Sequence, residues 1–326
     1  MFTVLGEPEM VALADAFGLG VVRDFHPIAA GTINSNFEIR TERGAFFVRV
    51  NEGKAEVDVA WEARLVAALA AAGVATPAPM IATDGRPYAP MSGAIGKWVS
   101  VFPWRAGVHL APHEVTEVHA ARLGAALARL HVAGLELPAG WRRGSIYDHD
   151  HLVARYDRIA TASDPQLAHA IRLLGEELAI VTDAAALRRR ATTGMIHGDL
   201  FRDNVLWDTS PEVTALLDFE QASGGSLAYD LAVCINDWCW DPSAAAPSAA
   251  LARALFAGYQ AVRPLPAGDR EALGIEIRAA AARFTITRIT DVYLARVPNP
   301  EKDFRAFLAR VEAWRGPALG QLTSAL

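Results

Sequence analysis

The chain has 326 residues, of which 52% are hydrophobic and 21% are charged, and its formal net charge at pH 7 is −6. This composition excludes a disordered or fibrous chain, because it supplies enough apolar residues for the core of one large or two medium domains. An acidic chain without a long basic run has no electrostatic field to hold a nucleic-acid backbone, so we expect no nucleic-acid partner.

The sequence also predicts a cytoplasmic protein with no membrane partner. Its most apolar windows, such as residues 67–75, are shorter than the roughly 20 residues that a membrane span needs. Glu7 and Glu9 stand where a secretory signal would carry basic residues. Cys234 and Cys239 lack the spacing of a metal site and are expected to be reduced thiols. The sequence leaves the oligomeric state open.

The first hundred residues combine helical and β-type patterns. A short helix is expected within the first twenty residues, and a longer one at residues 55–72, where apolar side chains recur at helical spacing. Strands are expected at residues 22–30, 37–41, 45–50, 80–83 and 97–102. These elements predict an antiparallel sheet that carries one long helix, forming a small α+β lobe at residues 1–102.

The rest of the chain, residues 103–326, is mainly helical. The 3.6-residue period predicts helices at residues 114–132, 148–161, 165–190, 226–237, 245–259, 269–293 and 304–314. A β-rich segment interrupts them at residues 195–219. We therefore expect two lobes that share a hinge near residues 101–104.

The β-rich segment contains a polar loop at residues 197–204, and a later apolar run at residues 213–217 ends at Asp218. Because consecutive short strands commonly pair, Asp199, Asn204 and Asp218 are expected to converge. Carboxylate and amide oxygens are ligands that Mg²⁺ accepts. Each residue taken alone could be a turn residue or a helix cap, but the combination favours a metal-dependent site.

The spacing of these residues is typical of kinases. An Asp, an Asn after four intervening residues, and an Asp-Phe after the next strand are the catalytic base and two metal ligands of that class. Asp199 is then the base, and Asn204 and Asp218 bind the metal. Upstream, Arg49 and Glu62 occupy the positions of the strand–helix ion pair, with Arg in place of the usual Lys. Both could instead be ordinary surface residues.

A loop between the first two strands is a candidate for covering the nucleotide phosphates. Its candidate residues are Gly31, Asn34, Ser35 and Asn36. With one glycine, the loop is equally consistent with a polar hairpin turn. The sequence contains no GxxxxGK[ST] motif, which excludes a Walker-type ATP site.

With these residues identified, the sequence resembles the aminoglycoside phosphotransferase and choline kinase-like superfamily over nearly its whole length. Residues 197–206 and 229–239 look most like bacterial homoserine kinases of this fold. The segment 279–291, with Arg283 and Arg288, is similar to their C-terminal region. The chain departs from the more aromatic stretch expected after Asp218, and reads Phe-Glu-Gln-Ala there.

This resemblance implies a two-lobed protein-kinase-like fold that uses ATP and Mg²⁺. The adenine would bind backbone groups around Val101 and Phe102, between a nucleotide-binding lobe and a catalytic, substrate-binding lobe. Asn204 and Asp218 would hold the metal. Asp199 would accept the proton of the acceptor hydroxyl while the γ-phosphoryl group transfers in line.

The resemblance favours a small-molecule acceptor, L-homoserine above others, which would place the enzyme in threonine biosynthesis. A zwitterionic amino acid requires a cation for its carboxylate and an anion for its ammonium group. The candidate cations are Arg202, Arg283 and Arg288, and the candidate anions are Glu220 and Asp237. All five could also be ordinary salt-bridged or exposed residues.

Two further interpretations remain open from the sequence. The acceptor could be choline, ethanolamine, an aminoglycoside or a sugar, and Trp238 and Trp240 could cage a quaternary ammonium group unless they pack in the core. The chain could also be a catalytically silent nucleotide-binding protein that keeps the fold.

Overall fold

The computed structural model describes residues 3–28, 34–91 and 96–324, and the chain folds as two compact units. The first unit comprises Met1–Gly107 and the returning segment Thr214–Glu220, and the second comprises Val108–Val213 and Gln221–Leu326. The compact units therefore divide a few residues after the end of the predicted first lobe, and Asp218 lies in the first unit. The functional roles assigned to residues 1–102 and 103–326 stay predictions.

Among the residues that the structure describes, the first unit contains a five-stranded antiparallel sheet and two α-helices. Its helices are α1 (Glu7–Ala16) and α2 (Glu56–Ala71), and its strands are β1 (Val22–Ile28), β2 (Ser35–Thr41), β3 (Gly44–Asn51), β4 (Ala89–Pro90) and β5 (Trp98–Pro103). The strand order is β1-β2-β3-β5-β4. Successive side chains of a strand point to opposite faces, and one face packs its apolar residues against α1.

One predicted strand, at residues 80–83, is wrong. The backbone N–H of Met80 donates to the carbonyl of Val101 over 2.7 Å, but the chain then turns, since Gly85 N–H donates to the carbonyl of Ala82 over 2.9 Å. Pro79 precedes this stretch, and the turn follows too soon for a ladder to extend. The short strand β4 pairs with β5 instead.

The second unit is mainly helical, as predicted. Its helices are α3 (Glu117–Glu136), α4 (His149–Ala160), α5 (Ala168–Asp183), α6 (Ala185–Arg188), α7 (Leu227–Trp238), α8 (Ala249–Val262), α9 (Ala267–Arg288), α10 (Phe304–Trp314) and α11 (Pro317–Ser324). The strands that follow α6 in the chain are β6 (Thr193–Ile196), β7 (Val205–Trp207), β8 (Val213–Leu216), β9 (Ser223–Ser226), β10 (Trp240–Asp241) and β11 (Ala246–Pro247). Strand β6 pairs antiparallel with β9. No helix in the described part of the chain has the length and apolar character needed to cross a bilayer.

Helices α3 and α8 contact each other backbone to backbone through two glycines. A Cβ atom on Gly124 would lie 2.0 Å from the carbonyl oxygen of Leu255, and one on Gly258 would lie 1.8 Å from that of Ala121. Any side chain at either position would force the two helices apart. The absence of a side chain at these positions therefore sets the separation of the helices.

We expect Gly258→Ala to destabilise the protein by about 1–3 kcal/mol or more, because the added methyl group overpacks this contact. The matched control is Gly320→Ala in α11, where a Cβ meets open space. There, alanine should be neutral or stabilise the helix by about 0.5–1 kcal/mol. Urea unfolding followed by circular dichroism measures both. Equal effects of the two substitutions would contradict the close helix contact.

Helix α9 does not end in an ordinary turn. Residues Ile289–Tyr293 continue it as one turn of π-helix directly after Arg288. Single π turns inside or at the end of α-helices are frequent at functional sites. The end of α9 is therefore a candidate part of a functional site.

Candidate active site

The polar loop at residues 197–204 begins where β6 ends. Gly198 has a φ of 78°, and a Cβ there would lie 3.0 Å from the carbonyl oxygen of Gln221. A glycine is therefore required for both the left-handed backbone and the close approach. The carboxylate of Asp230 on α7 accepts the backbone N–H groups of His197 over 2.7 Å and Gly198 over 2.8 Å. Helix α7 thus fixes the start of the loop.

A buried polar chain continues from Asp230 into the helical core. Arg263 donates to the hydroxyl of Tyr259 over 3.1 Å, and that hydroxyl lies 2.7 Å from Nδ1 of His131. Nε2 of His131 lies 3.1 Å from Asp230, and Arg263 pairs with Asp269 over 2.9 Å. Burial alone would raise the pKa of Asp230, but the hydrogen bond and charge of His131 outweigh it, so this pKa lies below its usual value. Asp230 therefore stays a carboxylate that can hold the loop.

The predicted base, Asp199, has a side chain that is 32% exposed, and its Oδ1 lies 3.3 Å from Nη1 of Arg283 on α9. The guanidinium of Arg283 stacks on the rings of Phe284, at 3.7 Å, and Tyr147, at 4.2 Å. The side-chain amide of Asn204 donates to the backbone carbonyl of Asp199 over 2.8 Å. A partly exposed carboxylate is thus held by a buried cation, and Asn204 keeps its amide oxygen for another partner.

Two residues predicted to bind the acceptor substrate, Arg202 and Asp237, pair with each other. The carboxylate of Asp237 accepts the backbone N–H of Arg202 over 2.9 Å and its Nη2 over 3.0 Å. Asp237 is buried at the end of α7. This pair therefore anchors the second half of the loop to the same helix that holds its start.

Arg288 differs from the other two candidate cations. Its Nη1 donates to the backbone carbonyl of Asp303 over 3.2 Å, and its guanidinium lies over the ring of Phe307 at 4.4 Å. Among the described residues it forms no ion pair with a carboxylate. Burial lowers the pKa of Arg288 by more than the attraction of Asp237 and Asp199 raises it. Because a guanidinium nevertheless stays protonated in proteins, Arg288 is a charged group with donors available for an anion.

The two tryptophans lie in the core. The indole N–H of Trp238 donates to the carbonyl of Leu200 over 3.0 Å, and the ring of Trp240 faces the guanidinium of Arg310 at 4.6 Å. Both rings are almost fully buried. Their position supports the core-packing interpretation over an aromatic cage.

The first unit contains the predicted strand–helix ion pair. Nη1 of Arg49 on β3 lies 3.1 Å from Oε1 of Glu62 on α2, and 3.2 Å from Oδ1 of Asp218. Arg49 and Glu62 are both buried, so neither is an ordinary surface residue. Burial would lower the pKa of Arg49, but the attraction of Asp218 and Glu62 raises it above its usual value.

Asp218 has a left-handed backbone with a φ of 61°. This region is unfavourable for a residue with a side chain, and such strain is common where a side chain must be aimed at a ligand. One carboxylate oxygen of Asp218 contacts Arg49, which leaves the second for a metal ion. A carboxylate such as that of Asp218 is a ligand type that Mg²⁺ accepts, and so is an amide oxygen such as that of Asn204 in the second unit; Mg²⁺ takes few protein ligands and completes its shell with water and phosphate oxygens.

Residues 24–265 match the family described as "Phosphotransferase enzyme family". The chain belongs to this family. This phosphotransferase is 34% identical over 301 residues to the homoserine kinase of Acidiphilium cryptum (strain JF-5), with 89% of this chain and 88% of that protein covered. It is 34% identical over 295 residues to the homoserine kinase of Gluconacetobacter diazotrophicus, with the same shares covered. The protein is a small-molecule kinase.

Solved structures show the fold of this phosphotransferase. Amicoumacin kinase hAmiN, in complex with AMP-PNP, Ca²⁺ and Ami, superposes with a TM-score of 0.72 at 13% identity, covering 97% of this chain and 95% of that one. The microcompartment-associated aminopropanol kinase superposes with a TM-score of 0.67 at 20% identity, covering 97% and 98%. The predicted protein-kinase-like fold is confirmed.

Sequence reasoning missed one buried cation of this phosphotransferase. Nζ of Lys54 lies 2.9 Å from Oε2 of Glu62 and 3.0 Å from Oε2 of Glu220. Glu220 also accepts the side-chain amide of Asn34 over 3.0 Å. Lys54 follows β3 in a short Asn-Glu-Gly-Lys turn, a setting typical of a solvated residue. Glu220, predicted to bind the acceptor ammonium, therefore lies in the first unit beside two groups of the predicted nucleotide-binding lobe.

The remaining predicted nucleotide ligands also belong to the first unit. Ser35 donates to Oε1 of Glu52 over 2.7 Å, and Asn36 pairs opposite Arg49 in the sheet. Val101 and Phe102 lie on β5, next to β3. Gly31 lies outside the described residues. The roles of these residues in binding ATP stay predictions.

Proposed function

We propose that this kinase transfers the γ-phosphoryl group of MgATP to the hydroxyl of L-homoserine. The observation that carries the proposal is the loop around Asp199, in which a partly exposed carboxylate is held by Arg283 and by the Asp230 chain. The similarity to curated homoserine kinases over 89% of the chain supports this acceptor. We further propose that the enzyme works in the cytoplasm.

In this mechanism, Asp199 accepts a hydrogen bond from the acceptor hydroxyl and takes its proton as the new O–P bond forms. Arg283 and Asn204 keep the carboxylate in position. Arg49 binds phosphate oxygens, and Glu62 fixes the direction of its guanidinium. Mg²⁺ bound by Asn204 and Asp218 would offset charge on the phosphates. ATP provides the phosphoryl group directly, so no covalent enzyme intermediate is needed.

The two lobes divide this work in our proposal. Residues 1–102 would bind the nucleotide, with the adenine at Val101 and Phe102 and the phosphates covered by the loop that includes Gly31, Asn34, Ser35 and Asn36. Residues 103–326 would bind the acceptor, with Arg288 the strongest candidate for its carboxylate. The pairing of Arg202 with Asp237 favours a structural role for both.

The proposal is tested by ADP release from MgATP with a panel of acceptors. The panel contains L-homoserine, L-serine, L-threonine, choline, ethanolamine, 3-aminopropan-1-ol and an aminoglycoside, beside a sample without acceptor. We expect a saturable rate selective for L-homoserine, with a phosphate monoester of it identified by ³¹P NMR. A higher kcat/KM on any other acceptor would refute homoserine as the substrate. Nucleotide binding without turnover on any acceptor would favour the catalytically silent alternative.

A further inference from the structure

The buried polar groups of the first unit form a row of alternating charges. Glu62 bridges two cations, with Oε1 on Arg49 at 3.1 Å and Oε2 on Lys54 at 2.9 Å. Each cation also contacts one acid of the returning segment, Arg49 with Asp218 at 3.2 Å and Lys54 with Glu220 at 3.0 Å. Arg49 and Lys54 are thus equivalent in their partners. Each lies between a fixed helix carboxylate and an acid from residues 218–220.

The row contains three carboxylates and two cations. The side chains of Lys54 and Glu220 are only 18% and 10% exposed, so both are largely removed from water. Burial would lower the pKa of Lys54, but the attraction of Glu62 and Glu220 raises it above its usual value. Lys54 therefore stays an ammonium group inside the unit. A phosphate group offers the same kind of anionic oxygen acceptors as the two carboxylates. A buried ammonium group that pairs with two acids is therefore also suited to bind a phosphate.

The row retains unused binding capacity. An ammonium group has three donors, and the two acids account for two of those of Lys54. The Nε–H of Arg49 is buried and has no hydrogen-bond partner among the residues that the structure describes. A buried donor without a partner costs free energy, which a bound anion would recover. Both cations can therefore accept more oxygen ligands than the protein supplies.

We propose that Lys54 is a second phosphate-binding cation of this kinase, and that Glu220 occupies its phosphate position until the nucleotide binds. The inference rests on the proposed use of ATP and not on the identity of the acceptor. Glu62 holds both cations throughout. Asp218 and Glu220 are the exchangeable partners, since they come from the same short segment and each pairs with one cation, whereas Glu62 pairs with both.

The proposal predicts opposite effects for the two members of one ion pair. Removing Lys54 removes a phosphate contact, whereas neutralising Glu220 removes the group that competes with phosphate for Lys54. A merely structural ion pair would instead make both changes harmful to nucleotide binding. The sign of the Glu220 effect therefore separates the two roles.

The test is the affinity for ADP and AMP, measured by isothermal titration calorimetry without acceptor and in EDTA, so that metal binding does not enter. We expect Lys54→Met to weaken ADP binding by about 10–100-fold, the value of one charge-assisted contact. AMP binding should change less, because AMP lacks the β-phosphate. Lys54→Arg should restore part of the loss. Glu220→Gln should tighten ADP binding by several-fold.

The matched control is Lys97→Met. Lys97 is another lysine of the first unit that pairs with a glutamate, at 2.9 Å from Glu52, and we assign it no nucleotide contact. The ADP affinity of the Lys97→Met variant should equal that of the unchanged protein. Circular dichroism of each variant checks its folding, and the Glu220→Gln result does not depend on the Lys54 variants.

Two results would overturn the proposal: unchanged ADP affinity in folded Lys54→Met, or weaker ADP binding in Glu220→Gln. Failure of homoserine turnover would refute the proposed acceptor and leave the nucleotide result standing. Absence of ADP binding by the unchanged protein, with or without Mg²⁺, would refute both this inference and the proposed function.

Discussion

An Asp199→Asn variant is expected to lose about 10²–10⁴-fold in kcat with L-homoserine, the range that a general base contributes. The amide keeps the shape of the side chain but cannot take the proton of the hydroxyl. Because Asp199 does not contact the nucleotide in our mechanism, the affinity for ADP should stay within about twofold of the unchanged enzyme. Steady-state kinetics and calorimetry measure the two quantities.

The control for this variant is Asp183→Asn, which changes an exposed aspartate at the end of α5 in the same way. Its kcat should equal that of the unchanged enzyme. A folded Asp199→Asn protein with normal kcat would eliminate Asp199 as the base. Equal losses of turnover and ADP affinity would point to a disturbed loop instead of a missing base.

The second large effect concerns Arg288, the candidate cation without a carboxylate partner among the described residues. Arg288→Met should lower kcat/KM for L-homoserine by about 10²-fold, the value of a desolvated charge pair with the substrate carboxylate. The same variant should keep its kcat/KM for 3-aminopropan-1-ol, which is homoserine without the carboxylate. The ratio of the two kcat/KM values is therefore the quantity to measure.

A matched control is available for this comparison as well. Arg172 has a side chain that is 60% exposed and pairs with Glu176 on the same helix, so Arg172→Met should leave both kcat/KM values unchanged. If Arg288→Met lowers kcat/KM for both acceptors by the same factor, the guanidinium stabilises the end of α9 and does not bind the substrate carboxylate. Equal rates of the unchanged enzyme on both acceptors would lead to the same conclusion.

The sequence was most informative where chemistry requires a fixed spacing. The loop from Asp199 to Asn204 and the Arg49–Glu62 pair could be predicted because their residues follow a short motif or the register of a strand and the next helix. Lys54 could not be predicted, because its partner Glu220 lies in a distant part of the chain. Similarly, no local pattern indicates that Arg202 and Asp237 satisfy each other. Long-range ion pairs leave no periodic signal.

The fold likewise contains elements that a local sequence pattern predicts and elements that depend on long-range contacts. Long amphipathic helices and the strands of the first sheet were predicted because burial imposes a period on their sequences. Strand β9 has the sequence Ser-Gly-Gly-Ser, which has little β propensity. It forms because it pairs with β6, and because Gly225 leaves space for Ile196, whose side chain would lie 2.5 Å from a Cβ at that position. Tertiary packing determines this strand.

The hydrogen bonds that Asp230 accepts from the start of the polar loop at residues 197–204 also bear on how so small an acceptor can be bound. Ordering a loop costs conformational entropy for every residue that it fixes. In this kinase the fold itself meets part of that cost, because α7 and the buried chain behind it hold the start of the loop through hydrogen bonds within the protein. A molecule of homoserine has few atoms, and the binding free energy available per atom is limited. A loop ordered in advance leaves that free energy for aligning the hydroxyl with Asp199.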